Sequence, residues 1–195
     1  MMKLMRMFST TSVKGIDGYL DSQKKYEIIR TILYFAISIS LYIAGYVTTK
    51  SNVNVLTIVA VLGCLPASKS MVGAIMFLCY KSCDQETVAL IKEHNEGLSG
   101  LFDLVFTSAQ KTYTVAHITV KGNTICGLSM KEEFPENDFQ QHLTGLLKAD
   151  GFKDVNIKIF TSREKYLNRL DQLRELSADE TNTNGILETL KNITL

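Results

Sequence analysis

The chain has 195 residues, four cysteines and a formal net charge of +1 at pH 7. A charge this close to zero gives no electrostatic footprint for nucleic acid, so no nucleic-acid partner is expected. Hydrophobic residues make up 46% of the chain, and they concentrate between Arg30 and Tyr80. The composition therefore predicts an apolar section followed by a soluble part large enough to bury its own core.

Residues 1–30 form a basic N-terminal extension. Its apolar positions, among them Tyr19 and Tyr26, alternate with Asp and Lys and predict a cytoplasmic helix that runs into the first apolar stretch. Such a helix either lies on the membrane surface or is solvated. No small-residue cleavage site marks a secretory signal. A mitochondrial presequence within residues 1–15 is the alternative to the bacterial origin that the Lys-, Ile- and Asn-rich composition favours.

Two apolar stretches follow, at residues 31–47 and 54–80. Each is long enough to cross a hydrocarbon core of ~30 Å as a helix, and backbone groups in lipid must pair within their own segment. The pattern predicts a membrane hairpin over residues 31–80, with spans at about 31–49 and 52–69. The lipid bilayer is the first expected partner.

The second stretch contains Pro66 and Lys69, which makes them candidate functional residues. A lysine at the bilayer centre costs about 3 kcal/mol. In the favoured layout, the span ends near Lys69 and residues 70–80 form a separate interfacial helix. In the other layout, the helix is continuous and kinked at Pro66, and Lys69 snorkels or lines an oligomeric interior.

The orientation follows from the basic residues beside the spans. Six precede the first span (Lys3, Arg6, Lys14, Lys24, Lys25 and Arg30), and one, Lys50, lies in the connection. The positive-inside rule then predicts that both termini are cytoplasmic in a bacterial cytoplasmic membrane.

The soluble part, residues 81–176, is predicted as an α/β (α+β) domain with the order α-β-β-β-α-β-α. Gly122-Asn123 separates two β-branched runs and predicts a two-residue hairpin turn, because glycine and asparagine both tolerate positive φ at the central positions of such a turn. Thr161 and Glu164 have the spacing of a capping box that opens the last helix of the domain. The elements are a helix at 84–94, strands at 101–107, 113–120, 125–128 and 155–160, and helices from Glu136 to Asp150 and from Thr161 onward.

The last 19 residues, 177–195, are predicted as a polar flexible linker and a short amphipathic helix. Ile186, Leu187, Leu190 and Ile193 give that helix one apolar face. An amphipathic helix after a linker is typical of a segment that docks on a partner. A membrane or cytoplasmic protein, or a second copy of the chain, is the expected partner.

The order α-β-β-β-α-β over residues 84–160 resembles the core of the PD-(D/E)xK restriction-endonuclease-like nucleases. The resemblance implies an acid on the second strand and an acid-x-Lys on the third, which together hold a divalent metal. Here the second strand has no acid between Tyr113 and Lys121, the third has neither acid nor lysine, and Asp103 is alone on the first. We therefore expect no metal, no cofactor and no nuclease activity.

His117 is the third candidate functional residue. Strand alternation places it on one face with Val115 and Thr119, and the hairpin register places it near Leu128. With no acid nearby in the sequence, a structural role is expected. Cys126 lies two register steps away, which favours packing over a Cys-His nucleophile.

Six basic residues gather around the fourth strand and the helix after it: Lys148, Lys153, Lys158, Arg163, Lys165 and Arg169. They would suit an anionic membrane leaflet. The acids interleaved with them (Asp150, Asp154, Glu164 and Asp171) favour an ordinary solvated face instead.

The function predicted from these features is that of a membrane-anchored, non-catalytic binding or scaffold protein, which presents a small cytoplasmic domain to a partner or to itself. One alternative is a degenerate nuclease-like or other enzyme domain at the membrane. A second is an oligomeric channel or transporter subunit whose path is lined by Lys69 and Pro66.

Overall fold

The structure, a computed structural model, describes residues 14–51, 54–176 and 181–195. Its contacts divide the chain into two units, which we call the helical unit (described residues 20–81) and the sheet domain (described residues 14–19 and 82–195). Most of the stretch considered as a presequence, and the centre of the predicted linker at 177–180, lie outside the described residues.

The helical unit consists of helix α1, Tyr19–Thr49, and helix α2, Val55–Leu78. Helix α1 includes residues 19–30 of the N-terminal extension and continues without a break through the first apolar stretch. Helix α2 continues through Pro66 and Lys69, so no separate helix begins after Lys69 as the favoured layout required. Proline has no amide N–H, so Pro66 removes one backbone hydrogen bond of the helix. The helical turns on either side of Pro66 are nevertheless continuous.

Small residues let the two helices approach closely. The buried residues of α2 are spaced by three, four or seven positions, which places them in one stripe: Ala60, Ala67, Ser70, Ala74 and Phe77. A Cβ atom added at Gly63 would lie 2.7 Å from Ser38 Oγ of α1. The packing of the pair therefore depends on small side chains at this level.

A polar cluster joins the helices near residue 30. Arg30 pairs with the buried Glu27 and donates from Nε to Ser70 Oγ at 3.2 Å. Thr31 Oγ1 lies 2.9 Å from the same Ser70 oxygen. These bonds place Arg30 and Thr31 beside Ser70, so Arg30 and Lys69 lie at nearly the same level along the pair.

In the sheet domain, helix α3 precedes a mixed four-stranded sheet with the strand order β1-β2-β3-β4. The pairs β1–β2 and β2–β3 are antiparallel, and β3–β4 is parallel. The elements are α3 Gln85–His94, β1 Ser99–Thr107, β2 Thr112–Lys121, β3 Thr124–Leu128, α4 Glu136–Ala149, β4 Asn156–Phe160, α5 Arg163–Glu175 and α6 Thr183–Ile193. The predicted α+β element order is confirmed.

Helices cover both faces of this sheet. On one face α4 and α6 pack on a cluster that includes Val115, Ile118 and Ile125. On the other, α3 and α5 pack on a second cluster that includes Ala116, Cys126 and Leu128. The alternation of β3 residues between the two clusters is what a strand covered on both sides requires.

The predicted two-residue hairpin turn is confirmed, because Lys121 and Thr124 on either side of it pair in the ladder. Gly122 has φ +58°, whereas Asn123 is not in the positive-φ region, so only the first central position is left-handed. The predicted cap of the helix after β4 needs correction. Helix α5 is capped by Ser162 rather than Thr161, and the cap makes no side-chain hydrogen bond. The capping-box prediction is therefore wrong, although the helix begins within two residues of it.

The alternation of side chains is broken at the centre of β1 and β2. Asp103 has φ +56°, and the ladder lacks a pair between Phe102–His117 and Leu104–Val115. As a result Val115 belongs to the α4–α6 cluster, whereas His117 contacts Tyr166 on α5. The prediction that His117 shares a face with Val115 is wrong for this reason.

The C-terminal helix α6 packs on its own domain. Ile186 and Leu190 are 0% exposed within the core. Thr194 forms a bridge with Phe106, and the Leu195 amide donates to Val105 O at 3.0 Å. The apolar face that suggested partner docking is thus already occupied, and docking of a partner there would require α6 to leave the sheet.

Candidate functional site

His117 belongs to a buried network of polar side chains. Its Nδ1 is 2.6 Å from Tyr166 Oη, and Tyr166 Oη is 3.3 Å from Thr119 Oγ1. Thr119 in turn donates to Asn95 Oδ1 at 2.8 Å. The predicted register is confirmed, because His117 pairs with Leu128.

Burial limits the chemistry that His117 and Tyr166 can perform. Both His117 and Tyr166 are 0% exposed. Burial lowers the pKa of His117 from 6.5 to about 3 and raises the pKa of Tyr166. Both groups are therefore neutral at pH 7 and closed to solvent, which suits packing rather than ligand binding or proton transfer.

The other nitrogen of His117 faces the backbone of β1. His117 Nε2 has no hydrogen-bond partner among the described residues, and a Cβ atom built on Gly100 would lie 2.5 Å from it. Only a glycine leaves room for the ring at this position. The polar contact of the imidazole therefore runs through Nδ1 to Tyr166.

The buried cysteines are poor nucleophiles in this arrangement. Cys126 pairs with Thr119 and not with His117, two steps out of register as predicted. Burial raises the pKa of the Cys126 thiol, although Arg169 and Lys158 act in the opposite direction. Burial, with Asp84 and Asp103, raises the pKa of Cys83 to about 11. Thiols with raised pKa values supply little thiolate at neutral pH.

Pro66 and Lys69 are both exposed on α2. Lys69 lies next to Ser70, which bonds to Arg30 and Thr31 of α1. Its side chain is thus on the outer surface of the helical unit, at the level where the polar cluster ends the apolar part of α1.

A groove between β4 and α5 is an open polar site on the sheet domain. We call it the β4–α5 groove; it has a volume of about 430 Å³. Its floor consists of alternate residues of β3 and β4, and its wall is one face of α5, at the spacings expected of a strand and a helix. Its lining residues are Thr124, Cys126, Asn156, Lys158, Phe160, Lys165, Asn168, Arg169 and Gln172.

The topology of the sheet explains why this groove exists. Strand β4 is at the edge of the sheet, and the buried residues of α5, Tyr166, Leu170 and Leu173, belong to the cluster beneath β2 and β3. Helix α5 therefore leaves one side of the β4 face uncovered. The exposed side chains of β4 and α5 face each other across that gap.

Three of the six basic residues predicted to cluster here line the groove: Lys158, Lys165 and Arg169. Lys148, Lys153 and Arg163 do not line it, and neither do the interleaved acids. The acids that favoured an ordinary solvated face are thus separated from half of the cluster. The amide and hydroxyl groups of Thr124, Asn156, Asn168 and Gln172 were not predicted to belong to a site, because their only signal in the sequence is their period-two and helical spacing.

No group of three or more His, Cys, Asp or Glu side chains placed to hold a metal ion occurs among residues 14–51, 54–176 and 181–195. Comparison of the chain with protein families, with curated proteins and with solved structures gives no match.

Proposed function

We propose that this protein is a membrane-anchored, non-catalytic binding protein, in which two membrane-spanning helices hold an α+β domain at the cytoplasmic surface and the β4–α5 groove is its binding site. The observation that carries the anchoring is the exposed apolar surface of α1 and α2. Both helices are long and apolar enough to cross a bilayer.

Burial separates this interpretation from that of a core helix in a soluble protein. Of the most apolar window in each helix, only 11% of α1 and 17% of α2 is buried. Seven large hydrophobic residues of α2 on the membrane side of Lys69 are exposed: Val55, Leu56, Ile58, Val59, Val61, Leu62 and Leu65. In the described part of the sheet domain only Ile16, Met130 and Leu176 are exposed in this way. A continuous apolar surface of this kind needs lipid or protein to cover it.

The level of the polar cluster supports a membrane boundary at Arg30 and Lys69. From Thr31 to Thr49, α1 rises about 28 Å at 1.5 Å per residue, close to the ~30 Å hydrocarbon thickness. In this arrangement the Lys69 side chain extends to the headgroups, as long basic side chains do at a membrane boundary. The boundary predicted at Lys69 is thus proposed together with a helix that does not stop there.

The orientation is proposed from the charge asymmetry alone. Six basic residues precede Thr31 and Lys50 lies in the connection, which favours cytoplasmic termini in a bacterial cytoplasmic membrane. A reporter active only in the periplasm, fused after Leu195, should stay silent. Strong reporter activity would reverse the orientation without touching the anchoring.

Alkaline carbonate extraction tests the anchoring. We expect the full chain to stay in the membrane pellet, because an integral hairpin is released only by detergent. Release into the carbonate supernatant, at the level of a peripheral control protein, would contradict the proposal.

A degenerate nuclease-like domain is the alternative that one observation favours, namely the shared element order α-β-β-β-α-β. The chemistry argues against activity. Asp103, the acid on β1, is 3% exposed, and its Oδ1 accepts from the Cys83 amide at 2.9 Å. A metal-dependent nuclease needs carboxylates open to a metal and a phosphate, and this one is committed to the backbone.

A further inference from the structure

The β4–α5 groove holds positive charge that the protein itself does not balance. In the described part of the chain, no carboxylate oxygen lies within 4.0 Å of the side-chain nitrogens of Lys158, Lys165 or Arg169. The contacts that these cations do make are with neutral groups. Arg169 donates to Gln172 Oε1 at 3.0 Å, and Lys158 Nζ lies 5.9 Å from the centre of the Phe160 ring.

The carboxylate of Asp171, next in sequence to the groove residue Gln172, is engaged outside the groove. It lies 2.9 Å from His94 Nδ1 and 3.7 Å from Arg174. Solvated lysines on an ordinary surface are interspersed with acids, which was the expectation for this cluster. In the groove the two signs are separated instead, so three cations share one concave surface.

The neutral lining adds hydrogen-bond donors to this charge. Amide groups of Asn156, Asn168 and Gln172 and the hydroxyl of Thr124 can all donate. Lysine supplies compact ammonium donors and arginine supplies a fork that matches two oxygens of one anion. An anion whose oxygens only accept hydrogen bonds fits such a lining best.

We infer that the β4–α5 groove binds a phosphate-bearing anion through Lys158, Lys165 and Arg169. The volume of about 430 Å³ is within the range of small-molecule sites and accommodates a phosphate together with the group that carries it. A soluble phosphate ester and a phospholipid headgroup present the same chemistry. The inference deepens the proposed function, on whose binding site it rests.

The test uses the full chain in phosphatidylcholine nanodiscs. Inorganic phosphate is titrated at constant ionic strength while NMR follows the backbone amides of Lys158 and Arg169. We expect saturable shifts at both amides. The variant K158Q/K165Q should bind at least about tenfold more weakly, because two charge-assisted contacts are lost.

A matched variant separates the groove from general charge. K148Q/K153Q also removes two positive charges, but from lysines outside the groove. Its phosphate affinity should stay within about twofold of that of the wild type, since distant exposed charges are screened. Unchanged signals of the buried Ile118 confirm that each variant is folded. Equal weakening in the two double variants, or no saturable shift in the wild type, would overturn the inference.

A last arm identifies the source of the phosphate. Phosphatidic acid replaces part of the phosphatidylcholine, and free phosphate is omitted. Shifts at the same two amides would assign the site to a headgroup, and shifts with free phosphate alone would assign it to a soluble ester. If the chain stays in the membrane pellet during carbonate extraction but binds no phosphate, only this inference is contradicted. If the chain binds phosphate but is released by carbonate, only the proposed anchoring is contradicted.

Discussion

Acidification should destabilise the sheet domain through His117. The folded state holds the ring neutral with a pKa of about 3, while the unfolded chain has the ordinary value of 6.5. Below pH 6.5 the unfolded chain therefore binds a proton that the folded domain refuses, so stability is complete above pH 6.5 and is lost as the pH falls toward 3. Between pH 7 and pH 5 the loss from this residue is about 2 kcal/mol in the free energy of unfolding.

The assay is urea unfolding of the full chain in detergent micelles, followed by methyl NMR signals of Ile118 and Ile125, which are 0% exposed in the domain. The variant His117→Gln removes the titrating ring and is measured at the same pH values. Because His94 and His142 remain in both proteins, their contributions cancel in the comparison. We expect the wild type to lose about 2 kcal/mol more than the variant between pH 7 and pH 5. Parallel pH profiles would refute the reasoning.

Two further predictions concern packing. Gly100→Ala should lower the free energy of unfolding by about 1–3 kcal/mol, because the added Cβ would overlap the rigid ring of His117. Gly145→Ala, at an open position in α4, should raise it by about 0.5–1 kcal/mol. Urea midpoints compare the two variants, and equal effects would contradict the close approach of the ring. Ile186→Ala should lower the free energy of unfolding by about 2–5 kcal/mol, because Ile186 of α6 belongs to the domain core. Asn192→Ala, at an exposed position of the same helix, should change it by less than about 0.5 kcal/mol. An unchanged urea midpoint for Ile186→Ala would indicate that α6 is free to dock on a partner.

Sequence patterns correctly predicted the features that depend on neighbouring residues alone. The turn at Gly122, the strands around it and the helix that ends at Asp150 depend on backbone preferences within a few residues, and the element order followed from them. The two long apolar helices were equally predictable, because each is encoded by one nearly continuous run of apolar residues.

The failures share a different cause. The apolar face of α6 was visible in the sequence, but an amphipathic pattern does not say whether the covering surface belongs to the same chain. The left-handed backbone at Asp103 places His117 and Val115 on opposite faces of the sheet. The sequence around Asp103 does not indicate a positive φ at that position. Whether α2 breaks after Pro66 depended equally on helix context that the proline alone does not determine.

The candidate groove illustrates the same limit. Its cations were predicted as a cluster, yet the acids between them in the sequence suggested neutralisation. Only the pairing of β4 with β3, and the packing of α5 beside it, separate Lys158 and Arg169 from Asp154 and Asp171. Charge balance along a sequence is therefore a poor guide to charge balance on a surface.

Membrane anchoring is the central claim, and two native cysteines test it directly. Cys64 and Cys79 are both exposed on the surface of the helical unit, so in water an impermeant maleimide would modify both. With the boundary at Lys69, lipid covers Cys64, and Cys79 lies about 15 Å beyond the boundary at 1.5 Å per residue. In open membrane fragments, peptide mass spectrometry should find Cys79 modified and Cys64 protected until detergent is added. Modification of Cys64 as fast as Cys79 without detergent would contradict the account.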